Sequence, residues 1–470
     1  MANSTFPHAT KKIDLEKITT AKSYVEKLTD SLSTDLDFQN HKSGYSSHNF
    51  HSFPAKFPPQ LPAKFILDLT APGEMVLDPM VGSGTTIIEA FFTGRKGIGF
   101  DIDPLALLIS KVKTTNLNVE ELTGHLKSIL KNAQLNVQTD ESSLEQILAS
   151  QWDSKTKQFV NYWFAHETQL ELLGLALQIS KIGDQSIKNF FELAFSAAII
   201  TKSGGVSLAL DLAHTRPHKA RIVMSKDGSL LLGNELIHKE SPRLKILTKK
   251  LRSPFEEFQK RCIQNFEGLD NLDLGKFKPI IKYGNAQKLP IEDKTVDLIV
   301  TSPPYASNAI DYMRAHKFSL IWLGYQIDEL SIKRKNYIGG EVLTKFEYEE
   351  LPCFTSQIIE DITSVDPKRG KVIHRYYSEM TRVLKEMFRV LRPGKSAIVV
   401  VGNSIMRGKN TETQNCLADI GRTIGFDVPK IGVRKIDRNK RMLPAGTKLN
   451  KTSQIQQRMH EEYVIGFYKP

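Results

Sequence analysis

The chain has 470 residues, more than one compact core ordinarily organises, so we expect two domains or one large domain with a sizeable insertion. Its 40% hydrophobic and 25% charged residues exclude a disordered chain, and its three widely spaced cysteines exclude a disulfide framework or zinc ribbon. The formal net charge of +12 favours a polyanionic partner, although a basic protein without a nucleic-acid role has the same composition.

The first predicted elements form a strand–loop–helix–strand unit. Residues 1–40 are polar and predict a helical or loosely attached leader, and residues 41–115 form the first part of an α/β domain. Met75–Asp78 predicts a buried strand that ends in a Gly-rich turn. A helix over Thr85–Thr93 and a second strand over Gly97–Asp103 follow, which is the start of a doubly wound sheet.

The α/β pattern stops after residue 115 and resumes at about residue 280. Residues 116–279 are mostly helical in pattern and predict an insertion, and residues 280–470 form the second part of the α/β domain. That part is predicted to contain strands over Val296–Val300 and Ser396–Val401, an amphipathic helix over Met380–Leu391 and an antiparallel edge strand over Glu462–Tyr468.

The turn after the first predicted strand reads Asp78-Pro79-Met-Val-Gly82-Ser83-Gly84-Thr85-Thr. Glycines at 82 and 84 allow the backbone to approach a ligand where a Cβ atom would collide. The helix that follows presents unpaired N–H groups, which suit a carboxylate or a phosphate. The turn lacks the lysine of a P-loop, so a triphosphate is not expected.

The second predicted strand ends in Asp101-Ile-Asp103-Pro. The Asp101 carboxylate is placed to accept hydrogen bonds from the two hydroxyl groups of a ribose. A nicotinamide dinucleotide would also need such a carboxylate, but position 87 is Ile where the dinucleotide motif requires Gly. A helix N-cap is the structural alternative for Asp101, and we assign that role to Asp103 instead.

A second loop with chemical potential, Thr301-Ser302-Pro303-Pro304-Tyr305, directly follows a predicted strand. Its two prolines fix the backbone and leave carbonyl groups exposed at the end of the strand. Ser302 and the Pro303 carbonyl could hold the hydrogens of an aromatic amino group, and Tyr305 could stack on the ring. Proximity to a methyl donor would supply the rest of the catalysis. The structural alternative is a Pro-rich turn that ends a core strand.

Together these loops resemble the amino-methyltransferases of DNA, which methylate adenine N6 or cytosine N4. Asp78-Pro-Met-Val-Gly-Ser-Gly-Thr-Thr resembles the cofactor motif of the family, and Ser302-Pro-Pro-Tyr resembles its catalytic motif. His51-Ser-Phe-Pro-Ala-Lys-Phe-Pro-Pro resembles the segment that precedes the cofactor loop. The resemblance covers roughly residues 45–115 and 280–470, and it implies a class I, Rossmann-like methyltransferase sheet interrupted by a helical insertion.

The resemblance implies S-adenosylmethionine as the cofactor and a target base flipped out of the duplex. At Asn285 the family commonly has Asp, and we expect the amide oxygen of Asn to serve as a weaker acceptor for the adenine amino group. The implied cofactor-binding residues are Phe53, Asp78, Pro79, Gly82, Ser83, Gly84, Thr85, Asp101 and Asn285. The implied catalytic residues are Ser302, Pro303, Pro304 and Tyr305, and no metal site is expected.

The resemblance also bears on the substrate. Ser at the head of the catalytic motif is more typical of cytosine-N4 enzymes, so cytosine N4 is favoured over adenine N6. Double-stranded DNA is the implied partner, the insertion is expected to recognise the target sequence, and a cognate restriction endonuclease is compatible with this setting. An RNA-base or guanine amino-methyltransferase and a catalytically idle nucleic-acid-binding protein remain alternatives.

Charge distribution and hydropathy complete the sequence-based expectations. In residues 214–262 twelve Lys and Arg face five Asp and Glu, and in residues 434–458 the ratio is eight to one. Such runs are either phosphate contacts or solvated surface. The chain has no apolar signal core at its start and no run of about 18 apolar residues, so we expect a cytoplasmic protein without a membrane segment.

Overall fold

The structure is a computed structural model. It describes residues 22–54, 56–212, 217–236, 244, 246–269, 272, 275–306, 311–340, 346–436 and 461–470. The first 21 residues of the predicted leader and most of the basic stretch 434–458 therefore lie outside the described residues. No helix in the described ranges is both long enough and apolar enough to cross a membrane.

A seven-stranded sheet forms the centre of the protein, and its strand order is β11-β12-β8-β7-β1-β2-β6. Only β12 runs antiparallel to its neighbours in this described sheet, and the other strands share one direction. This order and the single reversed strand define a class I methyltransferase fold. The seven strands are β1 Met75–Asp78, β2 Lys96–Asp101, β6 Ile280–Tyr283, β7 Val296–Thr301, β8 Leu391–Gly402, β11 Asp427–Lys435 and β12 Glu461–Lys469.

Two smaller sheets and fifteen labelled helices surround this sheet in the described chain. One small sheet contains β3 Ile222–Met224, β4 Leu230–Leu232 and β5 Thr248–Lys250, and the other contains β9 Ile405–Met406 and β10 Lys409–Asn410. The helices are α1 Tyr24–Ser33, α2 Gln60–Leu69, α3 Thr85–Phe92, α4 Pro104–Lys113, α5 Val119–Thr139, α6 Glu141–Ser150, α7 Ser154–Trp163, α8 His166–Ser180, α9 Gln185–Ile199, α10 Pro254–Phe266, α11 Met313–Leu320, α12 Ile327–Lys335, α13 Cys353–Val365, α14 Pro367–Val390 and α15 Thr413–Ile424. Short 3-10 helices lie at Ser46–Asn49, Asn234–Leu236 and Ile321–Leu323.

The central sheet is buried on both faces because apolar side chains alternate along its strands. Val76 of β1 packs in one core with side chains of α1 and α2, including Leu28 and Phe65. The next residue, Leu77, points to the other face and packs in a core with side chains of α14 and α15. Near-continuous apolar strands of this kind are typical of parallel sheets covered by helices on both sides.

The segment between β2 and β6 is mainly helical and carries the small sheet β3–β5. Its helices α5–α9 share one core with Leu105 and Ile109 of α4. The same core includes Phe318 of α11 and Leu330 of α12, which follow β7 in the chain. The helices after β7 therefore pack into the inserted segment.

Three sequence-based expectations differ from the structure. The strand predicted at 462–468 is antiparallel, but it lies between β8 and β11, and the edge strand is β11, which the sequence did not suggest. The helix predicted at 380–391 begins at Pro367, where the Asp366 side chain caps it. Of the two alternatives for the leader, its described part shows the helical one, since α1 packs on the sheet through Leu28 and Leu32, and only the expectation of loose attachment differs.

Candidate active site

The carboxyl ends of the parallel strands meet at one edge of the sheet. The chain leaves β1 toward β2 on one side, whereas β7 lies on the other side, so β1 and β7 flank the point where the strand order reverses. A crevice at that point is the usual ligand site of an open α/β sheet. Here it is a cavity of about 540 Å³ that both predicted loops line.

A direct hydrogen bond joins the ends of these two strands. Thr301 Oγ1, at the end of β7, donates to Asp78 Oδ1, at the end of β1, over 2.7 Å. The Met80 N–H also donates to Asp78 Oδ1, over 3.2 Å. Burial raises the pKa of Asp78 to about 6, although these hydrogen bonds favour its ionised form.

The turn after β1 depends on two glycines in left-handed backbone conformations. The φ angle is +46° at Gly82 and +81° at Gly84, a region that side chains with a Cβ atom rarely occupy. A Cβ atom on Gly84 would lie 2.9 Å from Ser110 Oγ, and one on Gly82 would lie 3.4 Å from the Phe53 ring. The buried Lys113 Nζ donates to the Ser83 carbonyl over 3.0 Å and fixes the turn from behind.

The carboxylate of Asp101, at the end of β2, faces the same turn. Its Oδ2 accepts the Gly82 N–H over 2.9 Å, and its Oδ1 accepts the Asp103 N–H over 2.9 Å. Burial, with a smaller contribution from the neighbouring Asp103 charge, raises the pKa of Asp101 to about 7. Each carboxylate oxygen still has lone-pair capacity for one more donor, so two ribose hydroxyls could bind here.

Asp103 caps α4, as predicted, because its Oδ1 accepts the N–H groups of Leu105 and Ala106. Its Oδ2 also accepts from His316 Nδ1 over 2.6 Å and from the Tyr337 hydroxyl over 2.8 Å. Burial alone would raise the pKa of Asp103, but these partners, led by His316, lower it below its usual range. Asp103 therefore ties the helices after β7 to the end of β2.

Two further cavity residues come from outside the strand ends. Phe53 stacks on Tyr312 with ring centroids 4.9 Å apart and an interplanar angle of 24°. Asn285 lines the cavity just after β6, but its Oδ1 accepts the Gln287 N–H over 3.0 Å within its own turn. This amide oxygen has a second lone pair, so it could still accept the cofactor amino group as expected.

The loop after β7 contributes Ser302 and Pro304 to the cavity wall. Tyr305, by contrast, is only 9% exposed and is not among the described lining residues. Its hydroxyl donates to Glu462 Oε1 over 2.8 Å, and Arg434 forms an ion pair with the same carboxylate. Burial, followed by the Glu462 charge, raises the pKa of Tyr305 above its usual range. The expectation that Tyr305 stacks on a base therefore does not match its position.

Most of the predicted site residues line the cavity, and a few support it from behind. Gly84, Pro303 and Tyr305 do not contribute to its described wall. The sequence analysis did not assign Tyr337, Arg314, Arg334 or Lys335 to the site, because no strand end or motif marks them. The predicted residues that line the cavity are Phe53, Asp78, Pro79, Gly82, Ser83, Thr85, Asp101, Asn285, Ser302 and Pro304.

Comparison with known proteins agrees with this geometry. Residues 7–112 match the sequence profile of the N6_N4_Mtase family, described as DNA methylase. Over this segment the chain is thus similar to N6/N4 DNA methylases. The Type II methyltransferase M.MvaI of Kocuria varians is 25% identical over 458 residues, which cover 92% of this chain and 92% of that protein. M.BsoBI of Geobacillus stearothermophilus, also a Type II methyltransferase, is 23% identical over 482 residues, with coverage of 91% and 88%.

A solved SAM-dependent methyltransferase of Methanosarcina mazei is 12% identical, with coverage of 86% of this chain and 96% of that chain and a TM-score of 0.28. This likeness adds nothing to the fold, which the strand order already defines. The family match and these relatives support S-adenosylmethionine-dependent DNA methyltransferase activity for the chain.

The residues that line the cavity fit S-adenosylmethionine. S-adenosylmethionine carries a sulfonium and an ammonium group against one carboxylate, so it is a cation overall. The cavity wall formed by the strand ends contains the carboxyl groups of Asp78 and Asp103, which are buried, and of Asp101, which is partly buried. The turn at Gly82 and Gly84 leaves the space that a Cβ atom would fill.

Proposed function

We propose that this DNA methyltransferase transfers the methyl group to the exocyclic amino group of a base extruded from double-stranded DNA, with cytosine N4 favoured over adenine N6. One observation carries the proposal. Ser302 and Pro304 line the same cavity as Asp78 and Asp101, and the Thr301–Asp78 hydrogen bond holds the two loops together. An amino nitrogen inside the base stack cannot reach such a cavity, so the base must leave the duplex.

On the cofactor side, we assign ribose binding to Asp101 and the methionine end to Asp78 and the turn over residues 79–85. The two Asp101 oxygens would each accept one ribose hydroxyl beside the N–H groups they already hold. The Phe53 ring would cover the cofactor, since it packs against Gly82 on one side and stacks on Tyr312 on the other. When bound, the cofactor supplies an electrophilic methyl group on sulfur.

On the base side, Ser302 Oγ would accept one hydrogen of the amino group, and the carbonyl of Pro303, a residue outside the described cavity wall, is the second acceptor that the motif implies. Delocalisation of the nitrogen lone pair into the ring makes that nitrogen a poor nucleophile, and these acceptors would draw it toward tetrahedral geometry. Holding the nitrogen in line with the methyl donor accounts for most of the rate enhancement. Pro304 would form the adjacent wall of the base pocket.

We assign Tyr305 a positioning role in place of stacking. Its hydroxyl connects the loop after β7 to Glu462 of β12, and Arg434 of β11 completes the buried cluster. A loop with two prolines and an anchored tyrosine is held rigidly at the strand end. Such rigidity would keep the Ser302 and Pro303 acceptors aligned before the base arrives.

We propose that the inserted segment, residues 116–279, recognises the DNA sequence. Not every basic residue of its 214–262 stretch is available for phosphate binding. Lys249 is buried and donates to the carbonyl groups of Ser203 and Ala209, and Lys226 forms an ion pair with Glu171. Because both relatives are named Type II methyltransferases, we further propose that the chain protects the site of a cognate restriction endonuclease.

The decisive experiment incubates the protein with radiolabelled S-adenosylmethionine and double-stranded DNA and identifies the labelled nucleoside by mass spectrometry. We expect N4-methylcytosine, which the serine at position 302 favours. N6-methyladenine would overturn the choice of base. 5-Methylcytosine, or labelled RNA beside unmodified DNA, would overturn the amino-methylation of DNA altogether.

A matched pair of serine variants tests the assigned loop. Ser302→Ala should lower kcat while the dissociation constant of S-adenosylmethionine stays unchanged. Ser364→Ala, near the exposed end of α13, removes a hydroxyl outside both the inserted segment and the cavity lining and should leave both values unchanged. Full activity of Ser302→Ala would show that another loop holds the amino group. Calorimetry that detects no cofactor binding to the wild-type protein would instead favour an idle nucleic-acid-binding protein.

A further inference from the structure

The cavity has two walls of opposite charge. The wall formed by the ends of β1 and β2 contains Asp78, Asp101 and Asp103. Apart from Lys56, the cations that line the cavity come from the helices that follow β7 and from the start of α14. We call this second wall the helical wall and define it by the cavity-lining side chains Arg314, Arg334, Lys335 and Arg369.

One carboxylate orders the centre of the helical wall. Asp311 Oδ2 lies 2.7 Å from Arg314 Nε and 2.5 Å from Arg334 Nη2. The Asp311 side chain is 14% exposed, whereas the Arg314 and Arg334 side chains are 41% and 52% exposed. Each guanidinium has five N–H donors and uses one of them in these contacts with Asp311, so further donors remain for an anionic ligand.

Helix dipoles do not account for this cluster. Arg334 and Lys335 lie in the last turn of α12, where a cation is stabilised by the helix dipole. Arg314, however, lies in the first turn of α11, where the dipole disfavours a cation. Lys333 lies in the same last turn as Arg334, but it pairs with Glu329 and does not line the described cavity. Position at the end of α12 is therefore not enough to place a cation in the cavity wall.

The helical wall is fixed in position relative to the carboxylate wall. His316 of α11 and Tyr337, just after α12, both donate to Asp103 Oδ2. From the other side, Glu379 of α14 accepts the Gly339 N–H over 2.8 Å and pairs with the buried Arg375. A mobile surface cluster would lack such buried anchors, and a preorganised cluster loses less entropy when it binds.

We propose that the helical wall binds the DNA phosphates adjacent to the extruded nucleotide. The inference rests on the proposed function, in which DNA is the substrate and the base enters this cavity. A cationic cofactor is attracted by the carboxylates of the strand ends, and a phosphodiester is repelled by them. The arginines of the helical wall match a phosphodiester in charge and in hydrogen-bond geometry. The same cavity therefore has complementary sites for two ligands of opposite charge.

The test measures DNA binding as a function of salt. Fluorescence anisotropy with a labelled duplex of about 20 base pairs, from about 50 to 200 mM salt, gives the slope of log K against log salt. Arg334→Gln and Arg314→Gln should each reduce the magnitude of that slope by about 1, because each removes one phosphate contact. The affinity ratio of wild type to variant should then shrink about fourfold over this salt range.

Two controls accompany these variants. Arg334→Lys keeps the charge and should retain the wild-type slope, and Lys27→Gln removes an exposed cation of α1 that lies outside both the inserted segment and the cavity lining and should also retain it. Wild-type slopes in both glutamine variants would overturn the helical wall as a phosphate site. An equal loss of slope in Lys27→Gln would overturn it as well, since overall charge would then explain the effect.

Failure of this inference and failure of the proposed function are distinguishable. Nucleoside analysis of the wild-type protein tests base methylation without reference to the helical wall. The anisotropy slopes test the helical wall whether or not methyl transfer is detected. Unchanged cofactor affinity in Arg334→Gln, measured by calorimetry, is expected and separates a lost phosphate contact from a collapsed cavity.

Discussion

The hydroxyl of Thr301 donates to the carboxylate of Asp78 across 2.7 Å, and this contact joins two residues that are 223 positions apart in the chain. Both side chains are buried, and each ends a parallel strand at the point where the sheet order reverses. The bond connects the cofactor turn to the loop that contains Ser302. A change at Thr301 should therefore affect both sides of the site.

Thr301→Val keeps the shape of the side chain and removes the donor. The buried Asp78 carboxylate then loses one partner, which should lower the free energy of unfolding by about 1–3 kcal/mol. Chemical denaturation measures this loss, and calorimetry should show weaker cofactor binding. Thr301→Ser retains the donor and should lose less of the cofactor affinity. Equal cofactor affinity in wild type and Thr301→Val would contradict a connection between the two loops.

Gly84→Ala tests the space beside the cofactor turn. The left-handed φ of +81° would cost an alanine about 1–2 kcal/mol, and its Cβ atom would collide with Ser110. Gly94 has a similar φ of +71°, but a Cβ atom there meets nothing within 4 Å. Gly94→Ala is therefore a matched control for backbone strain alone. We expect Gly84→Ala to be the less stable of the two and to bind the cofactor more weakly, as calorimetry would show.

Cofactor binding should depend on pH through Asp101. Burial raises the pKa of this carboxyl to about 7, and hydroxyl donors of a ribose stabilise only the ionised form. Below that pKa, binding must first remove a proton, so the dissociation constant should rise by up to about tenfold per pH unit as the pH falls. Above it, the dissociation constant should level off.

Calorimetry of S-adenosylmethionine between about pH 5.5 and 8.5 measures this dependence. Asp101→Asn should bind weakly at every pH and lose the transition near pH 7. Any remaining transition near pH 6 would then belong to Asp78, whose pKa burial raises to about 6. A wild-type profile that is flat through pH 7 would argue against Asp101 as the ribose acceptor.

Tyr305→Phe separates a positioning role from stacking. The variant keeps the aromatic ring and loses the hydrogen bond to Glu462. If Tyr305 aligns the loop, kcat should fall on the order of tenfold or more, because small misplacements of reacting groups are costly. The cofactor dissociation constant should not change. Full activity in Tyr305→Phe together with a loss in Tyr305→Ala would restore the stacking role. Tyr463→Phe, on the same strand as Glu462, is the control.

The sequence was sufficient to predict those elements whose hydrophobic periodicity and whose flanking Gly and Pro residues indicate the same bounds. Met75–Asp78 was predicted with its observed bounds, and the Gly-rich turn that follows makes the start of α3 clear. The N-cap role of Asp103 was predictable because Pro104 marks the first helical position after it. These features depend on neighbours in sequence, so a local pattern can reveal them.

The remaining features depend on contacts between distant segments. The alternation at 462–468 indicates a strand, but it does not reveal that β11 covers its outer side. Tyr305 was expected to stack because its motif suggests it, whereas Glu462, 157 positions away, determines where its hydroxyl lies. Arg314 and Arg334 became visible as a pair only through their shared partner Asp311. No spacing in the sequence indicates that these three side chains are in contact.

The common core of the inserted segment and the helices after β7 has a consequence for protein engineering. Phe318 and Leu330 are buried among side chains of α5–α9, so residues 116–279 do not end at a clean boundary. In a chimaera that takes only those residues from a relative, the side chains of the relative would have to pack against α11 and α12 of this chain. Exchange of the inserted segment, the proposed site of sequence recognition, should thus require co-transfer of residues 311–340, together with the arginines that they carry.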